Sequence, residues 1–149
     1  MTTISIDDPQ GDDALLVAVC GAHMRGMPLE PQMHDCGATF DSTARTDDSY
    51  RFHALTAKEP IRPGLVRGLP GSGAEIALEL WRITPAGLGL LLTRIDSPLG
   101  IGTLRLTDGR RVKGFVCEAI ATAEGARDIT DLQSWRVFLA QRDAADPTK

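Results

Sequence analysis

The run Ala14-Leu15-Leu16-Val17-Ala18-Val19-Cys20 most restricts what this chain can fold into. It is continuously apolar, short and bounded by turn signals, with Gly21 directly after it. Such a segment reads as a strand buried on both faces, so the fold must cover it from two sides. Further along, Tyr50, Phe52 and Ala54 alternate with Arg51 and His53, the period of a strand over 49–55. Ile76, Leu78 and Leu80 alternate with Glu75, Ala77, Glu79 and Trp81, which gives a long strand over 74–83. Residues 102–106 and 112–119 read as strands joined by Asp108-Gly109, a strong hairpin signal.

Helical signals lie between and after these strands. Thr84-Pro85 opens a helix with a capping hydroxyl and a proline at the first position, and Leu88, Leu91, Leu92 and Ile95 keep its apolar spacing. Trp135, Phe138 and Leu139 give an apolar face to a last helix over 132–142. Residues 31–40 read as a short helix or irregular loop ended by Gly37, and 60–73, rich in proline and glycine, as a connection. No regular strand–helix alternation appears, so a doubly wound parallel sheet is not expected. The elements fit an α+β fold: a small, mostly antiparallel β-barrel with flanking helices. The domain spans 14–142, after a flexible tail over 1–13 (with a short edge strand at 3–6) and before a frayed end over 143–149.

Composition narrows the function classes. A chain of 149 residues suits one domain with a sizeable core. Its net charge of −4 gives no reason to expect nucleic acid or an anionic membrane as partner. No signal peptide or membrane-length apolar run is visible, which reads as a cytoplasmic protein. Cys20, Cys36 and Cys117 form neither a disulfide framework nor a zinc signature. Cys20 and Cys117 are expected to be buried and Cys36 more exposed. His23, His34 and His53 lack ligand spacing, so no metal is expected. No phosphate loop, dinucleotide fingerprint or nucleophile elbow is present, and no cofactor is implied.

The loop Gly21-Ala22-His23-Met24-Arg25-Gly26-Met27-Pro28-Leu29 is the candidate site. Its glycines free the backbone, so several N–H groups can converge on a carboxylate or amide oxygen. His23 adds a proton-transfer group near neutral pH. Read plainly, the same residues make a tight strand-exit turn with a surface histidine. Tyr50 offers a phenol or a packed core ring, and Arg45 and Arg51 are solvated charges. Glu75 and Glu79 would stand about 13 Å apart along a strand, too far for a close dyad, and are read as structural, facing outward or into a polar barrel mouth. Gly100 and Gly102 permit close backbone approach. Glu118 follows an apolar strand and needs a partner or water, with Arg127 the candidate.

These motifs together resemble one family. Val19-Cys20-Gly21-Ala22-His23-Met24-Arg25-Gly26-Met27-Pro28-Leu29 is similar to the Val-x-Gly-Ala-His-x-x-Gly-x-Pro-Leu opening of the C-terminal domain of allophanate hydrolases. Arg45-Thr46, Tyr50-Arg51, Pro63-Gly64-Leu65-Val66 and Pro98-Leu99-Gly100-Ile101-Gly102-Thr103 follow in order. So do Asp108-Gly109-Arg110, Val112-Lys113-Gly114-Phe115, Cys117-Glu118, Gly125-Ala126-Arg127-Asp128-Ile129-Thr130 and Trp135. The resemblance implies a γ-glutamyl-cyclotransferase-like fold whose first loop binds substrate through backbone N–H groups. Where cyclotransferases carry an acid–base glutamate, this chain has Asp96-Ser97-Pro98.

The resemblance further implies action on N-carboxycarbamate in urea and allophanate degradation, giving ammonia and carbon dioxide. His23 would be catalytic. Gly21, Ala22, Met24, Leu29, Arg45, Tyr50, Gly100, Gly102 and Glu118 would form the substrate site. The amidase part of such enzymes has no counterpart in this sequence. Two alternatives stand beside that activity: a non-catalytic binding or assembly module for a separate amidase subunit, and a diverged cyclotransferase-like enzyme using Asp96. The partners implied are a small carboxylate or amide, an amidase subunit, or a second copy of the chain in a homodimer.

Overall fold

The computed structural model describes residues 14–123 and 126–145. The expected tail over 1–13 and the residues after 145 lie outside that range. Leu15–Val19 (β1) sits at the centre of a five-stranded sheet. On one side it pairs antiparallel with Ala77–Ile83 (β5), which in turn pairs with Thr39–Arg45 (β2). On the other side it pairs parallel with Arg111–Cys117 (β7), which pairs antiparallel with Leu99–Arg105 (β6). A second sheet places Tyr50–Leu55 (β3) between Arg62–Arg67 (β4) and Arg127–Asp128 (β8). The helices are Glu30–Asp35 (α1), Pro85–Leu92 (α2), Ile120–Ala123 (α3) and Trp135–Ala145 (α4).

The α+β class is as the patterning predicts, but the sheets do not close into the expected barrel among the described residues. The strand order leaves β2 and β6 as the two edges of the five-stranded sheet, and β3, β4 and β8 form a separate sheet. Among the described residues the two edges meet at their C-terminal ends, where Thr46 bridges Leu106 and the Asp47 N–H donates to the Arg105 carbonyl at 2.9 Å. Among the described residues one pair, β1 with β7, is parallel, which makes the larger sheet mixed.

Two strands replace segments read as loops. β2 carries Thr39-Phe40-Asp41-Ser42-Thr43-Ala44-Arg45, polar on one face and half-buried on the other. As an edge strand it needs little apolar content. β4 contains Pro63, which can donate no ladder bond but is tolerated at an edge. β3 is the only ladder neighbour of β4 among the described residues. The first strand also differs: Val17, Ala18 and Val19 are buried, whereas Leu15 is 38% exposed. β6 begins at Leu99, three residues before the strand expected over 102–106. The last helix runs past 142 to Ala145. Cys36, expected to be more exposed, is fully buried, like Cys20 and Cys117.

Other expectations hold. Thr84 caps α2 by accepting from the Gly87 N–H at 3.1 Å. Gly109 takes the positive φ of +89° that the β6–β7 turn requires. The core joins Trp81, Tyr50, Phe52 and Met33 to Trp135 and Phe138 of α4. Trp135 packs edge-on against Phe52 at 6.4 Å. Each such ring contributes roughly 2–3 kcal/mol by leaving water. None of the described helices is long and apolar enough to cross a membrane. The two sheets touch where β4 crosses β7, and this contact brings Arg62 and Pro63 to the end of β1.

Candidate functional site

β1 ends at Val19, and the chain leaves the sheet through a tight turn in which the Met24 N–H donates to the Gly21 carbonyl at 3.0 Å. A second bond, from the Leu29 N–H to the Ala22 carbonyl at 2.8 Å, folds the far end of the loop back. Gly21 is required by its neighbour rather than by its dihedrals: a Cβ there would land inside the Pro63 ring of β4. The Ala22 and His23 N–H groups, by contrast, donate to no other described residue. These two residues, with Gly21, Arg62, Leu99 and Phe115, line a narrow cleft of about 20 Å³.

His23 is buried at the wall of this cleft and only 5% exposed. Its ring lies 4.6 Å from that of Phe115, and Nε2 sits 2.9 Å from Gln32 Oε1 on α1. Burial lowers its pKa below the ordinary histidine value; the Gln32 bond raises it, and the Arg62 charge lowers it further. The imidazole is therefore neutral at pH 7 while the cleft holds no anion. A neutral ring with one hydrogen-bonded nitrogen can accept a proton, and it becomes an acid when a negative charge arrives beside it. Arg62 supplies the cation that the sequence reading missed, because it lies on a strand read as a connection. Cys20 lines the cleft, but burial pushes its thiol up to about 12, so it is no nucleophile there.

The expected site residues separate into two groups. Gly21, Ala22 and His23 stand together at the cleft. Met24 is buried on the other side of the loop, beside Glu79, and the Leu29 N–H is already used within the loop. Tyr50 is fully buried in the core, where its hydroxyl accepts the Arg105 N–H at 3.0 Å. Arg45 is exposed at the end of β2. Gly100 and Gly102 lie on β6 beyond Leu99. Glu118 is exposed and accepts the Ser97 hydroxyl at 2.9 Å rather than pairing with Arg127, which lies over Phe138. Asp96 is exposed, and the cleft lining does not include it.

Glu79 is the largest departure from the sequence reading. It is 3% exposed, on a central strand whose both faces are covered, rather than outward or in a barrel mouth. Its oxygens accept from the Arg25 backbone N–H (3.0 Å), Arg25 Nε (3.1 Å), Trp81 Nε1 (3.1 Å) and Arg136 (3.2 Å). Burial by itself would raise its pKa; the Arg25 and Trp81 donors outweigh that and hold the carboxyl below its ordinary value. A larger, mainly apolar cleft of about 80 Å³ runs between Leu55, Lys58, Pro98 and Ala121. Its lysine already donates to the Ser97 carbonyl, so it offers less chemistry than the His23 cleft.

Comparison with known proteins follows the same lines. The family model of the allophanate hydrolase C-terminal domain matches residues 15–140. The urea amidolyase of Lachancea kluyveri is 34% identical over 142 residues, which is 92% of this chain and 8% of that protein. This chain thus spans a small fraction of that relative's length. The solved allophanate hydrolase of Kluyveromyces lactis superposes with a TM-score of 0.82 at 35% identity, covering 86% of this chain and 21% of that one. A uropathogenic Escherichia coli protein, c4763, superposes with a TM-score of 0.78 at 36% identity, covering 85% and 96%. A gamma-glutamyl cyclotransferase, at 13% identity and a TM-score of 0.50, is alike in fold alone.

Proposed function

The chain belongs to the allophanate hydrolase C-terminal domain family, and from that premise we propose that its His23 cleft binds N-carboxycarbamate and promotes its breakdown to ammonia and carbon dioxide. The observation that carries this reading is the pairing of a cation with unused donors in one small cleft. Arg62 and His23 flank it, and the Ala22 and His23 N–H groups have no acceptor among the described residues. Such a lining suits carboxylate oxygens.

The chemistry requires little more. In N-carboxycarbamate two carboxylates share one nitrogen. Breaking one C–N bond releases carbon dioxide and leaves the electron pair on nitrogen, which takes a proton to give carbamate. A second proton and a second C–N cleavage give ammonia and another carbon dioxide. Each step needs a proton at nitrogen. A dianion in the cleft raises the affinity of His23 for a proton, and the imidazolium can then deliver it. The low pKa of the empty cleft suits an acid that charges only with substrate present.

The relatives' length favours a second reading, in which the domain docks on an amidase and steadies it. One experiment separates the two. An amidase acting on allophanate generates N-carboxycarbamate in place, and carbon dioxide release is followed with and without this chain. The expected result is faster release with the wild-type chain and none of that gain with His23→Asn. Equal gain from both proteins removes His23 from the chemistry, and co-purification with the amidase without any gain leaves the docking role.

A further inference from the structure

We propose that Glu79, together with Arg136, is a positioning residue that holds the loop over 21–29 in its anion-binding shape, an inference that rests on reading the His23 cleft as a carboxylate site. The loop has two fixed ends around its unused donors. At one end Gly21 lies flat against Pro63. At the other, Arg25 is gripped on both sides of its backbone: its N–H donates to Glu79 Oε1 at 3.0 Å, and its carbonyl accepts from Arg136 at 2.7 Å. Between them lie Ala22 and His23. Packing alone would locate Arg25. Bonds to both its N–H and its carbonyl also fix the orientation of the flanking peptide planes.

The clamp closes on itself. Glu79 Oε2 accepts from both the Arg25 and Arg136 side chains, and the Arg25 guanidinium lies 3.5 Å over the Phe40 ring of β2. Three elements therefore meet at Arg25: β5 through Glu79, α4 through Arg136, and β2 through Phe40. Glu79 stands opposite Val19 in the β1–β5 ladder, so the anchor is built on the strand that carries the loop. Removing one partner of such a buried ionic set is costly, because it strands the other charge. Arg136, 47% exposed at its side chain, is the milder handle.

The test uses malonate, which replaces the bridging nitrogen of N-carboxycarbamate with a methylene and is stable in water. Malonate affinity, the amide hydrogen exchange of Ala22 and His23, and thermal melting are measured for wild type, Glu79→Gln, Arg136→Gln and Arg136→Lys. An exposed-pair control, Arg94→Gln, breaks only a bridge to Asp35. The expected result is a loss of malonate affinity of roughly fivefold or more in Arg136→Gln, with less in Arg136→Lys, an unchanged melting temperature, and faster exchange at Ala22 and His23. Glu79→Gln should show the same loss of affinity and faster exchange, but with a lower melting temperature because it strands two guanidinium groups, and a double variant should be less than additive because both act on Arg25. If wild type does not bind malonate, the carboxylate reading fails while the exchange data still judge the clamp. Unchanged exchange in both variants overturns the clamp, whatever malonate does.

Discussion

His23 Nε2 lies 2.9 Å from the side-chain oxygen of Gln32, so the ring at the cleft wall is oriented by the short helix that follows its own loop. With that oxygen as acceptor, Nε2 keeps a proton and Nδ1 is left as the accepting nitrogen. The bond also raises the histidine pKa, against the larger effect of burial. Gln32→Leu should therefore shift the His23 titration to lower pH, followed by the ring proton shifts in NMR. Malonate affinity should fall by about 2- to 10-fold, the worth of one net hydrogen bond. An unmoved titration midpoint would mean that Gln32 does not hold the ring in solution.

Binding should take up a proton. Burial and Arg62 keep His23 neutral in the free cleft. A bound dianion favours the imidazolium, so the pKa of the complex lies above that of the free protein. Affinity then rises as pH falls through the complex pKa and levels off below the free-protein pKa. Calorimetry in buffers of different ionisation enthalpy reads the proton uptake directly. His23→Gln separates it from titration of the ligand. Equal proton uptake by that variant would assign the linkage elsewhere.

Gly21→Ala should damage the site more than its size suggests. The added methyl meets the Pro63 ring, and neither β4 nor the loop can move without disturbing the contact between the sheets. The expected cost is about 1–3 kcal/mol of stability, read by chemical denaturation, together with loss of malonate binding. Gly100→Ala is the comparison, since a Cβ there has nothing within 4 Å. It should leave both properties intact. If the two variants behave alike, the close approach at Gly21 does not shape the cleft.

The sequence made the apolar strands and the loop legible because both carry local signatures. Alternation marked β3 and β5, Asp108-Gly109 marked the hairpin, and Gly-Ala-His marked the turn. β2 and β4 escaped because edge strands need neither apolar content nor freedom from proline. With β4 went Arg62, whose place at the cleft depends on one sheet crossing another rather than on any local pattern. Glu79 escaped for a related reason. A carboxylate on an alternating strand reads as solvent-facing, and only partners 54 and 57 residues away in sequence make its burial tolerable. Tyr50 shows the converse: its family position suggested a site role, whereas its ring lies in the core with the hydroxyl satisfied by Arg105.

Acid sensitivity should trace in part to His53. It lies on β3, 8% exposed, with Nδ1 buried and unpaired among the described residues and Nε2 4.0 Å from Asp128. Burial lowers its pKa more than the Asp128 charge raises it, and Arg51 lowers it further. The folded chain therefore holds His53 neutral in a range where the unfolded chain takes up a proton, near pH 6.5 and below. The unfolded state then binds more protons, so stability falls as pH drops from 7 toward 5. His53→Phe keeps a ring of similar shape and removes both the unpaired nitrogen and the proton linkage. It should gain about 1 kcal/mol at pH 7, seen as a rise in Tm of about 3 °C. The fall in Tm between pH 7 and pH 5 should shrink but persist, because His23 is held neutral by the same physics. A variant that keeps the full wild-type slope would place the acid sensitivity outside β3.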